Sequence, residues 1–572
     1  MYTLGINAAF HDPAACLVRD GRIVAAAEEE RFTRIKHGKR PIPFSTYELP
    51  FHAVDYCVRQ AGIKLADVDH VAYSFDPFLL LGARAGDPYI PIPLHGGAAD
   101  HSEWESPWDP LSLSAIVNAP RHLASGIPHH LQQACSGLPE TGPGRWHYVP
   151  HHVAHAASAF HASPYQAAAV LTLDGRGERA TTSYYVGQGQ QLIEHGAVTM
   201  PHSLGLLYEH VTSYLGYLHS SDEYKVMALA SFGKPQYVGT LRSVVRVVGE
   251  GRYEIGLLNL RDWFGPPRMR GGPLEQRHYD LARSLQQVVE ETALELAAWL
   301  HRSTRQPALC LAGGVALNCV LNARLRREGP FKEVWVQPAA GDAGTALGAA
   351  LWIDAQMQPA TASRPSAMDH VFWGPAYADD EIEALLRRAK LSYRRLDDIP
   401  EETAALLERD LVIGWFQGAM EFGPRALGAR SILASPMNAS MQDRLNDIKD
   451  REDFRPVAPV VLEEDAKDWF VDAMVSPFML FVFEVQPDKA GRIPAVRHVD
   501  GTARVQTINR RQHPIYYDLV RAFKRRTGVP VLVNTSFNVR GEPIVCTPRD
   551  AVSAFFASPL DALVIGSFVL EK

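Results

Sequence analysis

The chain has 572 residues, 46% of them apolar and 21% charged, with 43 glycines and 40 prolines spread along its length. This excludes a single-motif or disordered protein and describes a globular one with ample material for a core. The net charge of −7 supplies no basic field for phosphate backbones or anionic lipid, so neither nucleic acid nor a membrane is an expected partner. Six cysteines (Cys16, Cys57, Cys135, Cys310, Cys319, Cys546) form no CxxC pair and read as buried thiols of a reducing compartment. With no signal-peptide pattern and no apolar run of about 18 residues, the expected location is cytoplasmic.

In chain order, residues 2–7 and 14–18 are short apolar runs, and Asp20-Gly21 is a tight hairpin signal ahead of residues 22–27. The pattern returns at residues 169–173, at Asp174-Gly175-Arg176-Gly177, at 182–186 and from 191 onward, which predicts an internal duplication. In each copy a polar loop follows the first strand, where two sheets could face each other across a cleft. Residues 81–150 between the copies lack periodicity and are rich in Pro, Gly and Trp, as a lid, a binding surface or a variable excursion would be. Leu281, Leu285, Val288, Val289, Leu296, Trp299 and Leu300 recur at helical spacing and predict a helix over 279–302. It feeds a strand at 308–312 that runs into Gly313-Gly314, a geometry in which backbone can approach a nucleotide closely.

A Pro/Ser/Ala-rich stretch at 357–375 reads as a linker, dividing a first unit, 1–356, from a second, 376–572. Strand-like runs at 411–416, 457–462, 478–485 and 529–533 alternate with helical segments near 401–408 and 515–526, so the second unit is expected to be mixed α/β.

Four groups carry chemistry in the first unit. His151 and His155, four residues apart in an alanine-rich segment, would share one helix face, a spacing that lets two imidazoles bind one metal, while His152 points elsewhere. Two helix-surface histidines are the plainer alternative. Asp174 ends a buried strand beside glycines whose N–H groups could cradle a phosphate, with Glu178 close by. Asp342 repeats the theme after the strand at 334–336, although an N-cap for the following helix is its simplest role. Two imidazoles with two carboxylates make a mixed N/O set suited to Fe(II), Mn(II) or Zn(II). In the second unit, Arg425 and Arg430 follow a strand in a glycine-rich segment and reach out. Lys449, Arg451, Arg455, Arg504, Asn538 and Arg540 sit beside Gly, Pro, Asn or Ser in loops after strands. Guanidinium forks converging on one pocket would bind a small, doubly charged acyl phosphate.

The ordered motifs HDxAA, EEERF, HHxAHAASA, DGxGE, GGVxLN, GDAGxAxGAA, GPRALGxRS, KxREDFRP, RxQT and NTSFNxRGEPIV resemble those of the O-carbamoyltransferases related to nodulation protein U and to antibiotic-tailoring enzymes. The resemblance covers essentially the whole chain and implies a duplicated actin-like ATPase domain followed by a YrdC-like α/β domain. It implies that His151, His155, Asp174 and Asp342 hold a divalent metal, iron foremost. Gly175, Gly177, Glu178, Gly313, Gly314 and Asn318, beside Asp174, would accept the nucleotide. Lys449, Arg455, Arg504 and Arg540, helped by Arg425 and Asn538, would bind carbamoyl phosphate and ATP with its Mg2+. His11 would face the acceptor hydroxyl, with His11, Lys449 and Arg540 as the catalytic groups.

The implied reaction makes carbamoyl-adenylate from carbamoyl phosphate and ATP, then passes the carbamoyl group to a small hydroxylated acceptor such as an antibiotic, glycoside or toxin; a homodimer stays open. Tyr89, Trp104 and Trp108 in the 81–150 stretch hint at an apolar or ring-stacking acceptor. Two rivals are an actin-fold small-molecule kinase, which leaves the second unit without a task, and a tRNA threonylcarbamoyl-type enzyme, which the net charge disfavours.

Overall fold

The computed structural model describes residues 1–38, 49–81, 113, 115–125, 144–359 and 367–572. Most of the 81–150 stretch, with Tyr89, Trp104, Trp108 and Cys135, lies outside the described residues. The other five cysteines are buried thiols.

Two five-stranded sheets build the first unit. One contains β1 (Tyr2–Asn7), β2 (Ala14–Arg19), β3 (Arg22–Glu28), β4 (His70–Tyr73) and β5 (Arg145–Tyr148) in the order β3-β2-β1-β4-β5. The other contains β6 (Ala167–Leu173), β7 (Ala180–Gln188), β8 (Gln191–Thr199), β11 (Ala308–Ala312) and β12 (Glu333–Val336) in the order β12-β11-β6-β7-β8, with β9 (Val245–Gly249) and β10 (Arg252–Ile255) forming a separate hairpin. Each sheet is an antiparallel three-strand meander whose first strand continues into two parallel strands. Identical strand order and polarity realise the duplication expected from the sequence, the architecture of an actin-like α/β domain.

Helices α1 (His151–Ala162) and α4 (Ala343–Met357) fill the space between the sheets; α2 (Gln276–Thr304) and α3 (Cys319–Glu328) flank the second sheet. α4 packs on β1, β2 and β4, α1 packs on β6, β7 and β11, and the two helices pack on each other. Small residues make this approach possible: a Cβ on Gly5 would stand 1.8 Å from the Ala346 carbonyl oxygen, and one on Gly348 would stand 1.7 Å from that of Ala154. α4 is apolar nearly all round, as a helix enclosed on every side must be. The helix expected at 279–302 is α2, whose apolar stripe buries Leu281, Leu285, Val288, Val289, Leu296 and Leu300.

The second unit is a mixed eight-stranded sheet, β13-β22-β21-β14-β15-β20-β16-β19, with a ribbon of β17 (Val482–Glu484) and β18 (Thr502–Arg504) beside it. Its strands are β13 (Arg394–Arg395), β14 (Ile413–Phe416), β15 (Arg430–Ala434), β16 (Ala458–Leu462), β19 (Gln506–Ile508), β20 (Val531–Ser536), β21 (Ala562–Ile565) and β22 (Phe568–Glu571). The strand expected at 478–485 shrinks to three residues because Met479 takes a left-handed φ of 55°, which ends extended pairing.

Arg430 corrects a second expectation. It lies within β15, fully buried, stacked 3.6 Å over Phe416 and donating to the carbonyls of Gln417, Gly418, Ala429 and Pro375. It holds the loop rather than reaching out of it. The two units share buried contacts: Arg31 donates to the Gly423 carbonyl, Glu28 accepts from the Gly423 N–H, and Asn322 donates to the Leu480 carbonyl.

Candidate active site

The fold brings four side chains from three distant segments to one point. Asp174 follows the end of β6, Asp342 precedes α4, and His151 and His155 lie one turn apart on α1, so both imidazoles face the gap between the two aspartates. Nε2 of each histidine stands 3.6 Å from Asp174 Oδ2 and 3.6 Å from Asp342 Oδ1. All four side chains are buried, and neither Nε2 has a hydrogen-bond partner.

Donors about 2.1 Å from one ion in a tetrahedral array stand about 3.4 Å apart, so these four fit a transition-metal cation. The supporting contacts fit as well. His151 Nδ1 lies 3.1 Å from the Ser74 carbonyl, to which it donates, leaving the Nε2 lone pair for an ion. Asp174 Oδ1 accepts from the Gly314 N–H at 2.8 Å, which aims Oδ2 at the histidines. Burial alone would push His151 down, yet the carboxylates of Asp174 and Asp342 hold it well above the usual imidazole range. Burial would likewise raise Asp174, but His155 and His151 hold it well below the usual carboxylate range. The two carboxylates therefore favour positive charge between them, whether proton or metal, against the opposing effect of burial.

The alternative roles considered from sequence are not the ones adopted. The Asp342 side chain makes no capping hydrogen bond to α4, and His151 and His155 are interior. His152 does point elsewhere: its Nδ1 pairs with Ser183 Oγ at 2.9 Å, and burial pushes it down to about 3.

Residues expected to accept a nucleotide divide into two groups. Gly313 has a left-handed φ of 92°, and a Cβ there would stand 2.1 Å from the Leu173 carbonyl oxygen, so strand β11 turns over β6 only with glycine. Gly314 is the Asp174 partner just described, and Gly175 and Gly177 line the turn after β6. Glu178 and Asn318 are committed to the scaffold. Glu178 is buried and accepts from the backbone N–H groups of Asp76 at 2.7 Å and His151 at 2.9 Å, anchoring the start of α1. Asn318 caps α3 through the Leu321 N–H and exchanges hydrogen bonds with Gln286.

A group of basic side chains gathers where the second unit meets the turn after Gly314. Arg425 donates to the Leu317 carbonyl at 3.0 Å, and burial together with neighbouring Arg504 pushes it down to about 9. Burial and then Arg455 push Arg451 down to about 9. Arg504 is lowered by burial and by Arg455. Nε of Arg425, Nε of Arg504 and Nη2 of Arg451 are buried without partners. Lys449 is buried, bonded to Ser536 and, at 2.8 Å, to Asn538 Oδ1, and its charge is disfavoured by burial and then by Arg451, Arg455 and Lys36. Arg455 lies 4.6 Å over the Tyr224 ring of the first unit.

Cations crowded together with unmet donors are the arrangement an oxyanion relieves. Arg540 does not join them: it is exposed and paired with Asp450 at 2.9 Å. Arg451, one of the basic residues expected from sequence to converge, does join Lys449 and Arg455, and its place is set by the bond from its Nε to Asn446 at 2.7 Å.

His11 lies partly exposed beside the four-residue cluster, its Nε2 3.7 Å from Asp342 Oδ2 and its Nδ1 2.9 Å from Asp12 Oδ2. Asn7 holds this loop by donating to the carbonyls of His11 and Asp12.

The chain thus combines a duplicated actin-like α/β domain carrying a buried two-histidine, two-aspartate cluster with an α/β unit carrying a group of buried cations. Residues 2–81 and 144–351 match Carbamoyltransferase N-terminus and residues 404–572 match Carbamoyltransferase C-terminus, so the chain belongs to the carbamoyltransferase family. It is 40% identical to nodulation protein NolNO of Sinorhizobium fredii over 99% of this chain and 80% of that one. It is 31% identical to nodulation protein U of Bradyrhizobium diazoefficiens, with 93% of this chain and 91% of that one covered. An uncharacterised Synechocystis protein shares 41% identity over 100% of this chain and 97% of its own length. Among solved structures, full-length HypF in its phosphate- and nucleotide-bound form aligns with 63% of this chain and 56% of its own at 15% identity and a TM-score of 0.33, too distant to bear on function. Among the described residues no helix is long and apolar enough to cross a membrane.

Proposed function

We propose that the protein is an ATP-dependent O-carbamoyltransferase that activates carbamoyl phosphate as carbamoyl-adenylate and transfers the carbamoyl group to a hydroxyl of a small natural product. The observation that carries this reading is the cluster of arginines with unmet donors beside the Gly313 to Leu317 turn, in a chain of the carbamoyltransferase family. Arg425, Arg451, Arg455 and Arg504 would neutralise the anionic donor and the nucleotide phosphates while bonds between them rearrange. Lys449 and Asn538 would orient the carbamoyl phosphate end of that pocket.

In the first unit, His151, His155, Asp174 and Asp342 would hold a divalent metal, iron by the resemblance of the chain. When bound there, such an ion supplies Lewis-acid polarisation of a carbonyl oxygen. The adenylate would approach backbone at Gly175, where a Cβ would meet no atom nearer than 3.5 Å, while Gly177 and Gly313, packed against His152 and Leu173, would shape the turns on either side. His11 would accept the hydroxyl proton of the acceptor. Enclosure between the two units keeps water from a labile mixed anhydride. The net charge of −7 supports a small acceptor over tRNA.

The test is incubation with carbamoyl phosphate, ATP and a panel of hydroxylated natural products. AMP, pyrophosphate and an acceptor heavier by one carbamoyl group are expected. ADP as the nucleotide product would replace this reading by a kinase.

A further inference from the structure

Behind His11 the structure holds a chain of polar contacts that the sequence motifs do not explain. Asp12 uses both carboxylate oxygens: Oδ2 lies 2.9 Å from His11 Nδ1, and Oδ1 lies 2.8 Å from His37 Nδ1. His37 Nε2 continues to Ser221 Oγ at 3.0 Å, and the His37 N–H donates to Glu30 Oε2 at 2.7 Å. Three of these residues come from three separate segments: the loop after β1, the turn near residue 37, and the loop at residues 220–222. Phe10, Asp12 and His37 all take left-handed backbone, with φ of 59°, 51° and 59°. Such conformations are unfavourable for non-glycine residues and persist where the surroundings hold them. Of these, Asp12 and His37 belong to the contact chain itself, and Phe10 directly precedes His11.

The cluster of Asp12, Glu30 and His37 has the composition of a metal site, but its atoms are already engaged with one another and with Arg31, which pairs with Glu30 at 2.8 Å. Its geometry is that of an orienting device. A carboxylate on Nδ1 fixes the tautomer and the ring plane of an imidazole and directs Nε2 the other way. For His11 that direction is toward Asp342, at 3.7 Å, on the side of the four-residue cluster.

We infer that Asp12 is the positioning residue for His11 in carbamoyl transfer, and that His37, anchored by Ser221, holds the second oxygen of Asp12 so that the pair stays aligned. This rests on the reading of His11 under the proposed function. In the step concerned, the acceptor oxygen bonds to the carbamoyl carbon while its proton passes to His11 Nε2. The bond from that carbon to the adenylate phosphate oxygen breaks, and AMP leaves with the electron pair. Asp12 keeps Nδ1 protonated throughout and stabilises the imidazolium that forms.

The variant of choice is Asp12→Asn, since asparagine accepts left-handed backbone but offers a single acceptor oxygen to two ring N–H groups. Four readouts are taken: kcat and KM for transfer, pyrophosphate formation from ATP and carbamoyl phosphate without acceptor, and bound metal. The expected result is a kcat for transfer lowered about 100-fold, with KM for carbamoyl phosphate, acceptor-free pyrophosphate formation and metal content unchanged. In a His11→Asn background the same change should add less than about 3-fold, because its effect runs through His11. His37→Gln should give a smaller loss with the same pattern.

Transfer by Asp12→Asn within about 3-fold of the parent overturns the inference. So does a parallel fall of transfer, pyrophosphate formation and metal content, which would assign Asp12 to folding alone. If the parent enzyme itself transfers no carbamoyl group to any acceptor, the proposed function fails and not the orientation argument.

Discussion

Arg425→Met is the sharpest probe of the basic pocket. Arg425 is pushed down from the usual guanidinium range to about 9 by burial and by Arg504, so it remains charged at pH 7. For a base whose folded pKa is depressed, the cost is present in full below that pKa and fades only as pH rises above 9 toward the ordinary guanidinium value. The displacement corresponds to a ceiling of about 5 kcal/mol, which water reaching this half-buried side chain reduces to about 2 kcal/mol. Against this, the variant loses the hydrogen bond to the Leu317 carbonyl, worth about 1 kcal/mol. The net expectation is a ligand-free variant more stable than the parent by about 1 kcal/mol.

With an unfolding entropy near 2.1 cal/mol/K per residue, that is a Tm about 1 °C higher for a chain of this length. The same arithmetic applies to an anion that relieves the charge. Phosphate at 100 times its Kd adds about 2.7 kcal/mol, or about 2 °C, to the parent. Calorimetry at pH 7 with and without inorganic phosphate reads both quantities. The variant should start slightly higher and gain much less. A variant that starts lower and keeps the full phosphate increment would refute the claim that Arg425 is an uncompensated charge awaiting an anion.

The remaining expectations are narrower. His155→Ala should abolish tight metal retention while His152→Gln leaves metal content within about twofold of the parent, since His155, like His151 and unlike His152, faces both aspartates; elemental analysis of purified protein decides. Gly348→Ala forces a Cβ against the Ala154 carbonyl at 1.7 Å and should cost about 1–3 kcal/mol in denaturant unfolding, with metal content falling because α1 is displaced. Asp354, in α4, is raised to about 6 by burial and then by Asp20. A carboxylate whose folded pKa is raised loses stability as pH rises through 6, so Asp354→Asn should stabilise by about 1–2 kcal/mol at pH 8 after screening is allowed for. Parent and variant should converge near pH 4, where Asp354 is neutral in the folded protein, and equal offsets at both pH values would show that charge is not the cause.

Much of this protein is legible without coordinates because its decisive patterns are local. Alternation and hairpin punctuation mark β1 to β3 and β6 to β8, a 3.6-residue stripe marks α2, and the four-residue spacing of His151 and His155 places both on one face of whatever helix forms. These depend only on neighbours in sequence, and so does the ordered set of motifs that marks the family. The short strand at 482–484 and buried Arg430 escaped the same reading, since one left-handed residue and a ring stacked on a guanidinium leave no periodic trace.

Which groups meet was decided by packing. Asp174 and Asp342 are separated by 168 positions in the numbering of the chain, and only the stacking of α1 on α4, through glycines that admit backbone contact, closes them around the two imidazoles. The same long-range packing diverts Glu178 and Asn318 to capping backbone, leaves Arg540 in solvent with Asp450, and gathers Asp12, His37 and Ser221 behind His11. Burial and Coulomb forces act between neighbours in space, so the charge of a residue type can be read from the chain, but whether that charge is paid out to solvent, to a partner or to a ligand is set only once the two units have closed.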